Sequence, residues 1–265
     1  MIITASQNPR IKYIRKLSQR GFRERERKLL VEGIRLVEEA LASNWRAESF
    51  IYTLEAVQSE RGARLLAEAE VKCRHILPVT PAIMAEISDT ETPQGVMAVL
   101  WQPDYALADV LPPGQSSLVV VVDGVQDPGN LGTIVRSADA AGATGVILLK
   151  GTVDIYNPKT LRSTMGSLFH LPVVPAEDVP AALKYLTSAG ITLIVGDPAD
   201  GAPVYDINLK VPVGLVVGNE GTGPGNGVLQ FEYVKVTIPM PGRAESLNVA
   251  MATSILLYEA VRQRA

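Results

Sequence analysis

Four apolar runs limit what this chain can become. VVVV at 119–122, GVILL at 145–149, ITLIV at 191–195 and GLVV at 214–217 are continuous rather than alternating. A strand wetted on one face alternates apolar and polar residues, whereas a strand covered on both faces does not. Helices are predicted between and after the runs, over Gly132–Ala141, Pro158–Ser167, Val179–Ala189 and Ser246–Arg262. Strands alternating with helices give an α/β fold with a mostly parallel sheet. In such sheets ligands bind beyond the carboxyl ends of the strands. Three segments there are rich in Gly, Pro and Asn. Val125–Arg136 follows the run Ser117–Gly124, Gly218–Gly225 follows Pro212–Val217, and Pro239–Asn248 follows Tyr233–Ile238. They point to one site assembled from distant pieces.

The first hundred residues read as a smaller α/β domain. A basic amphipathic helix is predicted over 9–20, with Ile11, Ile14 and Leu17 on one face. Strands at Leu29–Val31, Ser49–Tyr52, His75–Val79 and Gly95–Trp101 alternate with helices at Gly33–Ala42, Glu60–Glu70 and Pro81–Ile87. The stretch 103–116, with Pro103, Pro112, Pro113 and Gly114, reads as a linker between domains 1–102 and 117–265.

Net charge is −3, yet residues 1–36 carry ten basic side chains against Glu24, Glu26 and Glu32. That segment is +7 and the remainder −10. Such asymmetry is a reason to consider a polyanion partner for the amino-terminal region, the alternative being a solvated helix face of mixed charge. The basic residues that would meet such a polyanion are Arg10, Lys12, Arg15, Lys16, Arg23 and Arg35. With Cys73 the only cysteine, an internal disulfide and a cysteine-based zinc site are excluded. No metal is expected, and the compartment is read as reducing and cytoplasmic. Met1–Pro9 lacks the apolar centre of a secretory signal, and no apolar run reaches bilayer-spanning length.

Taken singly, each loop reads as an ordinary turn. Asp127-Pro128-Gly129-Asn130-Leu131-Gly132 is a tight turn into a helix, with Asn130 placed to cap it and Arg136 one turn further on. Gly218-Asn219-Glu220-Gly221-Thr222-Gly223-Pro224 crowds glycines around a carboxylate, without dinucleotide-fingerprint spacing and without the lysine of a phosphate loop. Pro239–Asn248 ends at a helix start, with Ser246 placed to cap it and Asn248 in the first turn.

Taken together and in order, Asn130…Arg136, Asn219-Glu220-Gly221 and Ile238-Pro239-Met240…Ser246-Leu247-Asn248 resemble the three motifs of the SpoU (TrmH-like) RNA ribose methyltransferases of the SPOUT superfamily, across about 118–262. Ser6–Leu17 and Val31–Leu41 resemble, more loosely, the substrate-binding domain of many members, a small ribosomal-protein-like α/β fold. The resemblance implies a trefoil-knotted catalytic domain that pairs as a homodimer and binds S-adenosylmethionine mostly through backbone groups. Val217, Gly218, Asn219, Gly221, Ile238, Met240 and Leu247 would line that cofactor site. Asn130, Arg136, Glu220, Ser246 and Asn248 would form the catalytic set.

The implied reaction is methyl transfer to a ribose 2′-hydroxyl, with ribosomal RNA the first substrate, transfer RNA the second, and a catalytically silent RNA-binding dimer the alternative. Neither His75 nor His170 falls in the three loops. The resemblance implies that Arg136 takes the proton as general base; an equally good physical reading keeps it a cation that holds phosphate and alkoxide. Guanidinium groups ordinarily stay charged up to a pH of about 12.5–13.8, a cost that the base role has to meet, and both roles stay open.

Overall fold

The computed structural model describes residues 2–198, 200–219 and 221–265, arranged as two compact units. The first begins with α1 (Pro9–Lys16) and α2 (Arg20–Glu26), then β1 (Lys28–Glu32), α3 (Ile34–Ala42) and β2 (Ala47–Tyr52). It continues with α4 (Glu60–Lys72), β3 (His75–Pro78), α5 (Pro81–Ile87) and β4 (Val96–Trp101). The strands form one sheet in the order β1-β4-β2-β3, with β4 antiparallel to both neighbours and β3 parallel to β2. Ile11, Ile14 and Leu17 are buried against Ile51, Leu77, Met97 and Val99 on one sheet face.

The basic helix predicted over 9–20 stops at Lys16, and a second helix starts at Arg20. The break is filled by Arg23, which is 4% exposed and donates to the carbonyl oxygens of Leu17 (2.9 Å) and Ser18 (2.6 Å). Those carbonyls lie just past α1, where no helical N–H remains to meet them. Arg23 is therefore withdrawn from the RNA-contacting set, because its guanidinium is spent inside the unit. Arg10, Lys12, Lys16 and Arg35 are exposed, and Arg15 is exposed while pairing with Glu86 at 2.6 Å.

The second unit opens at Tyr105. A short 3₁₀ turn at Leu107–Val110 buries Val110, whose carbonyl accepts a hydrogen bond from Thr144 Oγ1 (2.7 Å). Then come β5 (Leu118–Val122), α6 (Pro128–Ala140) and β6 (Gly145–Leu149). After Ile155 the chain returns to the first unit for Tyr156–Phe169, which contains α7 (Pro158–Thr164). There Trp45 meets Phe169 edge-on at 5.0 Å and Tyr156 at 6.4 Å between ring centroids. Arg162 donates to Asp89 at 2.9 Å, an ion pair.

From His170 the second unit resumes with β7 (Val173–Ala176), α8 (Val179–Ser188), β8 (Thr192–Gly196), β9 (Ala202–Pro203), β10 (Val213–Val217), α9 (Asn226–Leu229), β11 (Val234–Thr237) and α10 (Val249–Arg264). The seven strands run in the order β7-β6-β5-β10-β8-β11-β9, and every ladder between neighbours is parallel. All residues of β5, β6 and β10 are buried, as their continuous apolar runs require. Among the described residues, no helix is long and apolar enough to cross a membrane.

Helix α10 is fixed at its far end by polar contacts. Arg264 donates to the carbonyls of Ser116, Ser117, Leu209 and Val211, and Gln263 bonds both the Leu209 amide and the Ile207 carbonyl. Burial lowers the Arg264 pKa from its ordinary value.

Replacing Arg23 by Ala strands the Leu17 and Ser18 carbonyls. Urea unfolding should show a loss of about 2–3 kcal/mol from the first unit. Arg10→Ala, at an exposed position, should leave unfolding unchanged within about 0.5 kcal/mol.

Candidate active site

The three glycine-rich loops meet at the carboxyl edge of the seven-stranded sheet, because β5, β10, β8 and β11 lie side by side in parallel. The first loop turns into α6 with Asp127 as the cap, its Oδ1 accepting from the Asn130 amide at 2.8 Å. Pro128 takes the first helical position, where its missing N–H is harmless. Asn130 was expected to cap; it lies instead in the first turn, and its side chain turns to the third loop.

The third loop delivers Asn248, which caps α10 in place of the expected Ser246. Its Oδ1 accepts from the amides of Ala250 (3.0 Å) and Met251 (3.3 Å), while its Nδ2 donates to Asn130 Oδ1 at 3.0 Å. Farther along, the hydroxyls of Ser137 and Ser254 lie 2.8 Å apart, a second tie between α6 and α10.

The second loop folds on itself. Asn219 and Gly223 exchange backbone hydrogen bonds of 3.2 and 3.0 Å. Asn219 Oδ1 accepts from the Gly221 amide (2.9 Å), and its Nδ2 donates to the Gly124 carbonyl (2.9 Å). Asp123 accepts from the Gly225 amide at 2.7 Å. A Cβ on Gly218 would collide with the Pro224 nitrogen and Gly223 carbonyl carbon, so only glycine closes this turn. The β6 loop joins the same framework through Gln126, which donates to the Gly151 carbonyl, and Thr152, which accepts from the Gly124 amide. Glu220 lies outside the described residues.

The second and third loops, with the turn after β8, enclose a cavity of about 220 Å³. Val217, Gly218, Asn219, Gly221, Ile238, Met240 and Leu247, all singled out from the sequence, line it, and Ser246 stands among them. Val236, Val249, Ala252 and Leu256 complete an apolar wall. Gly196, Asp197 and Pro198 also line it. The sequence reading missed them because it did not show that β8 sits between β10 and β11. Asp197 is the only charged side chain among the described lining residues, and Lys235 pairs with it at 3.3 Å and with Asp200 at 3.1 Å. Those carboxylates hold the Lys235 ammonium above its ordinary pKa.

Asn130, Arg136 and Asn248 stand outside the cavity wall. Six residues along a helix advance about 9 Å and turn the side chain about a third of a circle away. Asn130 Oδ1 accepts from Asn248 at the start of α10, while Arg136 is exposed on α6. Among the described residues Arg136 has no hydrogen-bond or ion-pair partner. His170 is engaged with Asp139 at 2.8 Å, and His75 lies in the first unit. With no lysine or arginine among its described lining residues, the cavity does not suit a phosphate-rich ligand; it suits a compact molecule held by backbone groups and apolar contact.

Comparison with known proteins gives two domain matches. Residues 117–258 match the SpoU rRNA Methylase family, and residues 8–98 match the MRM3-like substrate binding domain. The chain is 36% identical over 256 residues to the 23S rRNA (guanosine(2553)-2′-O)-methyltransferase RlmP of Bacillus subtilis, covering 97% of each. It is 35% identical to the 23S rRNA (uridine(2479)-2′-O)-methyltransferase of Streptomyces viridochromogenes, covering 94% of this chain and 87% of that protein. Among solved structures, the SpoU methyltransferase AviRb from S. viridochromogenes in complex with AdoMet superposes with a TM-score of 0.89 at 33% identity, covering 97% of this chain and 98% of that one. An AdoMet-bound rRNA methyltransferase from Sinorhizobium meliloti superposes at 0.88 with 34% identity, covering 99% and 97%.

Two variants separate the jobs of Asn248. Asn248→Ala removes the cap and should lower the stability of the second unit by about 1 kcal/mol in urea. Asn248→Asp keeps an oxygen for the Ala250 and Met251 amides and should recover most of that loss.

Proposed function

The chain belongs to the SpoU rRNA methylase family, and from that premise we propose that it methylates the 2′-hydroxyl of a ribose in ribosomal RNA, using S-adenosylmethionine. The observation that carries the reading is the composition of the cavity. Seven residues from two loops converge there, all but Asn219 apolar or glycine, and no cationic side chain is among its described lining. That set fits S-adenosylmethionine, which carries no phosphate and presents an adenosine and a short amino-acid tail. When bound, it supplies a methyl group on a positively charged sulfur.

The protein's own groups orient and shield. Val217, Ile238, Leu247 and Leu256 keep water from the reacting centre, and transfer between a cation and an incoming oxygen gains from that exclusion. Gly218, Asn219 and Gly221 offer backbone groups from a loop already rigid through its own hydrogen bonds, so little ordering remains to be done on binding. Ser246 and Asn248 sit at the start of α10, where they would hold the ribose, with Asn130 fixed through Asn248. Arg136, exposed and unpartnered among the described residues, is the group available to an RNA phosphate and to the developing alkoxide. Glu220 remains a candidate for supporting Arg136.

Homodimerisation belongs to the same reading. Met251, Ile255 and Tyr258 are exposed along α10 beside exposed Leu247, an apolar row suited to a second copy of the chain. The family's trefoil knot, with α10 as the last element drawn through, and a cytoplasmic location with ribosomal RNA complete the proposal. Arg10, Lys12, Lys16 and Arg35, with Arg15 beside them, would meet RNA phosphates.

Mapping 2′-O-methyl positions in ribosomal RNA by mass spectrometry, with and without this protein, tests the activity; an unchanged map overturns it. In single-turnover methyl transfer, Arg136→Ala should fall about 10²–10³-fold. Arg136→Lys should keep more activity than Ala if the charge matters, and neither should alter S-adenosylmethionine affinity by calorimetry. Gly218→Ala should weaken that affinity at least tenfold, since the loop must open to admit the methyl.

A further inference from the structure

The first unit holds a second cleft that methyl transfer does not use. It measures about 380 Å³ and lies over the end of the four-stranded sheet. Its floor is set by strand register: Ser49 of β2 pairs with His75 of β3, and Lys28 of β1 lies at the same end beside Trp101 of β4. Arg10 and Tyr13 of α1 form one wall.

The polar groups inside are largely pre-arranged. Lys28 is 8% exposed, with its ammonium 4.2 Å from the Trp101 ring centroid, 5.3 Å from that of Tyr13 and 2.8 Å from Glu48 Oε1. Glu26 accepts from the Tyr13 hydroxyl at 3.0 Å and from Arg25 at 3.1 Å. Three groups keep capacity. Among the described residues, the His75 ring and the Arg10 guanidinium have no hydrogen-bond or ion-pair partner, and Glu48, paired with Lys28 through Oε1, accepts no hydrogen bond at Oε2. Within the cleft two cations face two carboxylates, so its interior is electrically balanced. The rim is not: Arg46 and Arg74, both exposed, lead into β2 and β3 at this end of the sheet. A neutral interior with a cationic rim fits a flat heterocycle attached to a phosphate chain.

We propose that this cleft takes one unpaired base of the RNA substrate, a reading that rests on the proposed function. Sequence-specific RNA recognition works largely on bases splayed out of their stacks, read on their hydrogen-bonding edges and packed on flat side chains. Glu48 Oε2 accepts donors from the Watson–Crick edge; guanine, with a ring N–H beside an exocyclic amine, matches it best. His75 offers a flat ring and a ring nitrogen, and Arg10 meets the attached phosphate.

The test uses the full chain with guanosine 5′-monophosphate, uridine 5′-monophosphate and ribose 5-phosphate as NMR probes. Guanosine monophosphate should shift the amide signals of Tyr13, Ser49 and His75 and bind more tightly than the uridine compound, whereas ribose 5-phosphate should leave those signals in place. His75→Ala should weaken guanosine monophosphate at least fivefold. It should raise KM for ribosomal RNA by a similar factor, with kcat, S-adenosylmethionine affinity and melting temperature unchanged. Equal shifts from ribose 5-phosphate would reveal a phosphate site and overturn the proposal, as would an unaltered KM in His75→Ala. Wild-type methyl transfer is run in parallel. If it is absent the proposed function fails, while the nucleotide titrations still decide whether the cleft takes a base.

Discussion

One side-chain amide holds the second unit's site together. Asn248 gives its oxygen to the start of α10 and its nitrogen to Asn130 on α6. A serine in its place would cap the helix but would have no N–H₂ to reach across. An alanine would do neither. Through this residue the last helix and the first loop share a fixed spacing, although 118 positions separate them in sequence. The far end of α10 is held as firmly, by Arg264 spread over four carbonyls. The helix is thus pinned at both edges of the sheet, and the cavity wall it supplies through Val249, Ala252 and Leu256 cannot drift.

The cavity is shaped mostly by main chain. Its second loop is locked by the Asn219–Gly223 exchange and tied to the first loop through Gly124 and Asp123. Rigid backbone groups need no rotamer to be frozen when a ligand arrives, which preserves affinity. The same economy explains the glycines: Gly218 approaches its own loop too closely for any side chain. Asp197 is the one charged side chain among the described lining residues. Lys235 neutralises Asp197 at the edge, and Arg136 stands apart on α6, where a polyanion would meet it.

The central strands were legible because burial on both faces leaves an unbroken apolar record, and β6 matches its sequence run residue for residue. The cofactor-side loops were legible because glycine, proline and asparagine cluster where the chain must turn tightly. β7 escaped notice because only Val173 and Val174 precede Pro175, too short a run to register. The caps were misplaced by two or three residues, since Asp, Asn and Ser compete for such positions and only geometry chooses among them. Arg23 was unreadable for a different reason. A buried arginine and an RNA-binding arginine look identical in a basic segment, and only the broken helix beside it tells them apart.

The return of residues 156–169 to the first unit sets an order of events during synthesis. Trp45 leaves the ribosome early, yet Tyr156 and Phe169, which pack against it, follow more than a hundred residues later. After Asp104 a further 65 or so residues must be made before the first unit is whole. At about 5–20 residues per second, that is a wait of about 3–13 seconds with an indole uncovered. The amino-terminal half of this protein therefore cannot finish folding on its own schedule; it is completed only when the nascent chain is well into the second sheet.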